Sequence, residues 1–160
     1  MKNITVTISI IAAALLFITS CSGNSTSPNN ETDDMPGATI TLDNSGASAY
    51  IAVSVEGNGA SAGINTENPE ISLTSGGRYT FINNGGASSH PLNFRDSSGN
   101  KLFGQSRDEG ALENNSDINV VKNGNSISFT LTDDLAGRLS DYICSFHPGM
   151  NGSLQTIEAD

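Results

Sequence analysis

The sequence predicts an all-β domain, a two-sheet β-sandwich with Greek-key links, and three observations carry that expectation. From residue 38 onward, short segments rich in β-branched and aromatic residues follow one another. Gly, Asn, Ser and Asp punctuate them at close intervals, supplying the residues that turns need. No heptad, internal repeat or long helical stripe interrupts this texture.

Strand candidates lie at 38–43, 50–55, 70–74, 78–83, 89–94, 118–121, 126–132, 139–144 and 152–158, about nine strands and within the range of a two-sheet sandwich. In Tyr50-Ile51-Ala52-Val53-Ser54-Val55, the two-residue period puts Ile51, Val53 and Val55 on one face, which is expected to be buried. Ser75-Gly76-Gly77 and Asn123-Gly124-Asn125 tolerate positive φ between apolar runs, so both are expected to be hairpins. Residues 104–116 follow neither period and read as a loop. One short helix is expected over 133–138, capped by Thr132 or Asp133, with Leu135 packing inward before the strand that ends at Cys144.

The N-terminal residues have a different character. Lys2 gives a positive start, and 8–18 is an apolar run broken only by Ser9, too short for a comfortable membrane span. The run ends at Ile18-Thr19-Ser20-Cys21, which resembles the lipobox of bacterial lipoproteins. That resemblance implies a signal peptide over 1–20, cleavage before Cys21, and a lipid on the Cys21 thiol. Residues 22–36 hold Ser, Asn, Asp and Thr with little to bury, so 21–37 is expected to be a flexible tether and 38–160 the folded domain. The expected location is outside the cytoplasm, anchored to a bacterial membrane and facing the periplasm or the cell surface.

The 160 residues suffice for one domain with a real core. A formal net charge of -10 with only seven Lys and Arg argues against nucleic acid as a partner. By default the acidic residues are a solvated surface, though they would also attract a basic partner.

The chain holds two cysteines, and lipidation would consume Cys21, so Cys144 stands alone. An unpaired thiol in an exported protein is explained by burial, nucleophilic reaction, pairing with another chain, or metal coordination. Its neighbours read Cys144-Ser145-Phe146-His147-Pro148-Gly149-Met150: a thiolate, an imidazole and a thioether at every third position. With one more imidazole these are the donors of a trigonal copper site with an axial Met. His90 is the only other histidine. It falls in the candidate 89–94, where alternation sends His90, Leu92 and Phe94 to the same, core-facing side.

At this point the sequence resembles the cupredoxins, most closely amicyanin-like and plastocyanin-like members, which carry Cys-x-x-His-x-x-Met on the last loop and a distant upstream His. The resemblance spans 38–158 and takes in Tyr142 two residues before the thiolate, the strand-turn-strand 71–84, and a final strand after Gly152. It implies an eight-stranded Greek-key sandwich, one copper ion, and reversible one-electron transfer. His90, Cys144 and His147 would be the equatorial ligands and Met150 the axial one. The family pattern breaks at Pro91, where many cupredoxins donate a backbone N–H to the cysteine sulfur and proline has none. Asn83, Asn84, Ser88 and Ser89 are near enough in sequence to supply another donor.

The expected function is electron transfer between redox proteins, a donor and an acceptor, with no small-molecule substrate and no enzymatic turnover. Copper oxidases and nitrite reductases need several more histidines, and a dinuclear electron-transfer centre needs a second nearby cysteine. Two other readings use the same residues: copper storage or delivery without redox cycling, and a metal-free β-sandwich envelope lipoprotein.

Overall fold

The computed structural model of the protein describes residues 35–159. The expected signal segment, Cys21 and nearly all of the tether lie outside the described residues. Within them, alternating side chains make the strands. In β1 (Gly37–Ser45), Ala38, Ile40 and Leu42 turn inward, and in β5 (Arg78–Asn83) Tyr79, Phe81 and Asn83 do so. The two strands pair in parallel, Ile40 opposite Phe81. β2 (Ala49–Gly57) flanks β1, while β9 (Ser126–Thr130) and β8 (Val121–Asn123) extend the sheet beyond β5, giving the order β2-β1-β5-β9-β8.

The second sheet has the order β3-β4-β11-β10-β6-β7. Its strands are β3 (Ala60–Ala62), β4 (Ile71–Thr74), β6 (Leu92–Asp96), β7 (Lys101–Gly104), β10 (Leu139–Cys144) and β11 (Asn151–Ile157). An aromatic cluster joins the two layers. Phe81 and Phe129 from the first sheet meet Phe94 and Phe103 from the second, with ring centroids 4.8–5.1 Å apart across the interface. All four rings are fully buried, each contributing about 2–3 kcal/mol by leaving water. The domain is therefore the all-β sandwich the sequence predicts, with the chain passing repeatedly between sheets. The one helix among the described residues, α1 (Asp133–Ala136), is a single turn in which Thr132 Oγ1 accepts from Leu135 N and Leu135 is buried.

Several details differ from expectation. There are eleven strands among the described residues, because β3 and β7 are short edge strands defined by pairing rather than by hydrophobic alternation. Ser75-Gly76-Gly77 is no hairpin: it carries the chain from β4 in one sheet to β5 in the other. There Gly76 has a φ of 81°, and its N–H donates to Leu131 O. Asn123-Gly124-Asn125 is the expected hairpin, with Asn123 opposite Ser126. Ile118 is buried in a turn before β8 rather than within a strand.

The largest difference is in β2. Thr41 pairs with Ser54 but Leu42 with Ala52, so Val53 is an extra, bulged residue. A bulge reverses the alternation on one side of it. Val55 still packs against the core, but Ala49, Tyr50 and Ala52 are the buried residues before the bulge, while Ile51 is half-buried and Val53 exposed.

Candidate metal centre

Three strand ends and two loops build the site. β10 alternates so that Tyr142 and Cys144 both face the core, and Cys144 is 1% exposed. The following loop returns to β11 and is closed by its own backbone. Met150 N donates to His147 O, Cys144 N donates to Met150 O, and Ser145 N donates across to Pro91 O. Asn68 Nδ2 holds Gly149 O at 2.9 Å and Asn151 Nδ2 holds Pro148 O at 2.7 Å. Asn93 Nδ2 reaches Ser145 Oγ at 2.5 Å. The loop carrying Cys144, His147 and Met150 is thus fixed at nearly every residue.

His90 comes from the loop between β5 and β6. It does not belong to a strand, because Pro91 has no N–H to give a ladder and β6 begins only at Leu92. Instead a turn positions it: Gly86 takes a φ of 85°, and the N–H groups of Ser89 and His90 both donate to Gly86 O. The expectation of a core-facing histidine within a strand is therefore corrected to a half-buried histidine on a turn, while Leu92 and Phe94 are fully buried as expected.

These two segments bring the donors together. His90 Nδ1 and His147 Nδ1 stand 3.1 Å apart, and Cys144 Sγ lies 3.6 Å from His147 Nδ1. All three donor atoms fall within 4.8 Å of one another. Donors that each sit about 2.0–2.3 Å from one borderline divalent ion stand roughly 3–4 Å from each other, and the His90–His147 and Cys144–His147 separations of 3.1 and 3.6 Å fall in that range. The donor chemistry, two imidazoles and a thiolate without a carboxylate, suits copper better than calcium or magnesium. Burial, and then the neighbouring His147, hold the His90 imidazole below its usual pKa, which favours the neutral, ligating form.

Met150 is fully buried at the end of the loop. Tyr142 is a core residue whose hydroxyl donates to Pro69 O at 2.7 Å. Phe146 faces solvent at 61% exposure, Pro148 and Gly149 are exposed, and His147 is partly exposed between them. An edge of the site therefore reaches the surface.

Two residues near the site escape a sequence reading. Tyr50 is fully buried and its hydroxyl donates to His90 O at 2.7 Å. Burial, followed by the charge and hydrogen-bonding contact of Cys144, holds its phenol far above the usual pKa. Gln105 Oε1 accepts from both Leu92 N and Asn83 Nδ2. Asn83, a candidate donor to the sulfur, instead directs Nδ2 to His90 O at 2.6 Å and to Gln105. A signal for Tyr50 would have been the bulge at Val53, which has no sequence mark of its own.

No family model matches the chain, and no curated protein matches it. Among solved structures it is similar to an amicyanin variant in the reduced state, at 23% identity over 78% of this chain and 93% of that one, with a TM-score of 0.36. The β-sandwich rests on this chain's own strand pairing.

Proposed function

We propose that this chain is an exported electron carrier, anchored by a lipid on Cys21, in which His90, Cys144, His147 and Met150 would hold one copper ion. The observation that carries the reading is the convergence of two imidazole nitrogens and one buried thiol within 4.8 Å. Copper bound there supplies a one-electron couple, Cu(I)/Cu(II). The protein supplies a thiol shielded from water, two imidazoles, and a loop whose backbone bonds resist rearrangement. A site held this way changes little between oxidation states, which keeps the reorganisation accompanying each transfer small. His147, partly exposed beside Phe146 and Pro148, is the path for electrons to and from protein partners. The acidic balance would favour encounters with a basic donor or acceptor.

Voltammetry of the copper-loaded full-length protein in detergent tests the reading. A reversible one-electron wave supports a carrier. Tight Cu(I) binding without a wave would replace it with storage or delivery.

A further inference from the structure

The two exposed residues before Met150 are held by side-chain amides. Asn151 Nδ2 donates to Pro148 O at 2.7 Å from three residues away, whereas Asn68 Nδ2 donates to Gly149 O at 2.9 Å from 81 positions upstream. Gly149 O belongs to the planar peptide that leads into Met150, so a bond there fixes the plane from which that buried residue starts.

Asn68 is itself firmly held. Its φ is 46°, in the left-handed region, immediately before Pro69, where a residue ordinarily prefers to be extended. Asn tolerates positive φ better than other non-glycine residues, yet before a proline the conformation persists only where its surroundings over-determine it. Asn68 N donates to Tyr50 O at 2.7 Å and Tyr50 N donates to Asn68 Oδ1 at 3.1 Å, so main chain and side chain both pair it with β2. Buried Pro69 follows, and its carbonyl accepts from the Tyr142 hydroxyl at 2.7 Å, tying the same segment to β10. With Oδ1 spent on Tyr50, Nδ2 is the part of the amide that faces Gly149. Tyr50 in turn donates its hydroxyl to His90 O at 2.7 Å. The His90 turn and the Gly149–Met150 peptide, which belong to separate loops, are therefore both referenced to one buried residue of β2.

Resting on the copper reading above, we infer that Asn68 is a positioning residue: through Gly149 O it sets where the Met150 thioether stands relative to a metal bound by His90, Cys144 and His147. A thioether in such a site tunes its potential, so a clamp on the Met150 peptide acts on the copper without touching it. Freed from the clamp, the thioether donates less, and a weaker electron donor favours Cu(I) over Cu(II).

Asn68→Gly tests this, because glycine keeps the left-handed φ and the N–H bond to Tyr50 O while removing the side-chain amide. Asn65→Gly is the control, since it lies in the same loop with a φ of 59° and its own N–H donates to Ala52 O. In the metal-free full-length protein, hydrogen exchange at the Met150 and Cys144 amides should quicken about threefold to tenfold in Asn68→Gly, the worth of one hydrogen bond, and not in Asn65→Gly. In the copper-loaded protein, the reduction potential should rise and the paramagnetic resonance of Cu(II) should change symmetry in Asn68→Gly alone. Both shifts should vanish when Asn68→Gly is made in a Met150→Leu background, where the thioether is gone. Full shifts in that background, or unchanged exchange and potential in Asn68→Gly, overturn the inference. Should Asn68→Gly fail to fold, Asn68→Asp keeps the acceptor for Tyr50 N and deletes only the donor to Gly149 O. Quickened exchange at Met150 then supports the clamp, and unchanged exchange rejects it. A wild type that never develops a thiolate-to-copper band removes the copper reading and this inference with it. A normal wild-type band beside a silent Asn68→Gly rejects the inference alone.

Discussion

Asn83 Nδ2 donates to the carbonyl oxygen of His90 at 2.6 Å, tying the last residue of β5 to the histidine seven positions later. The same amide nitrogen bonds Gln105 Oε1, while Asn83 Oδ1 is buried without a hydrogen-bond partner. Asn83→Ala removes two donated bonds but also relieves the unpaired oxygen. Tyr50 still serves His90 O, and Leu92 N still serves Gln105. The net stability cost should be only about 1–2 kcal/mol. If His90 ligates copper as proposed, copper affinity should suffer more, about 10- to 100-fold, because His90 loses its brace. Urea unfolding and competition with a chelator measure the two effects separately.

Cys144→Ser should abolish the thiolate-to-copper absorption while the strand spectrum in far-UV circular dichroism survives. Cys144 packs as a small buried group between Tyr142 and the loop, so a hydroxyl of similar size leaves the sandwich intact. Retention of the colour would show that another sulfur or no sulfur is responsible.

Pro91→Asn should raise the reduction potential by restoring an N–H at the position where cupredoxins commonly donate to the sulfur. The Pro91 carbonyl already accepts from Ser145 N and can keep that bond. A lower or unchanged potential by voltammetry contradicts the expectation.

Phe81→Ala should cost about 3–5 kcal/mol, since it opens a cavity where the two sheets meet. Phe81 stacks against Phe129 at 6.0 Å and meets Phe94 edge-on at 5.0 Å. Thermal or urea unfolding of the metal-free protein gives the figure, and a loss below about 1 kcal/mol would mean the core recloses around the gap.

The loop carrying Cys144, His147 and Met150 was legible in the sequence because the three are local to one another and their spacing needs only a tight turn. His90 was legible by elimination, though its turn was not: alternation suggested a strand through Pro91, and a residue without an N–H ended the ladder there. The alternating strands β1, β5 and β9 read correctly because one face of each is buried. Tyr50 was hidden by a single bulged residue, Val53, which reverses the side-chain direction of everything before it in β2. The Asn83, Gln105 and Tyr50 bonds to the His90 segment depend on three separate loops and strands converging, and no local pattern encodes such a meeting.

Titration of the full-length protein with Cu(II), followed by visible absorption and metal analysis, tests the central claim most directly. The account predicts one copper per chain, an intense blue or green thiolate-to-copper band, and loss of that band in His90→Ala and His147→Ala as well as Cys144→Ser. A protein that stays colourless with Cu(II), or binds it equally well without Cys144, would contradict it.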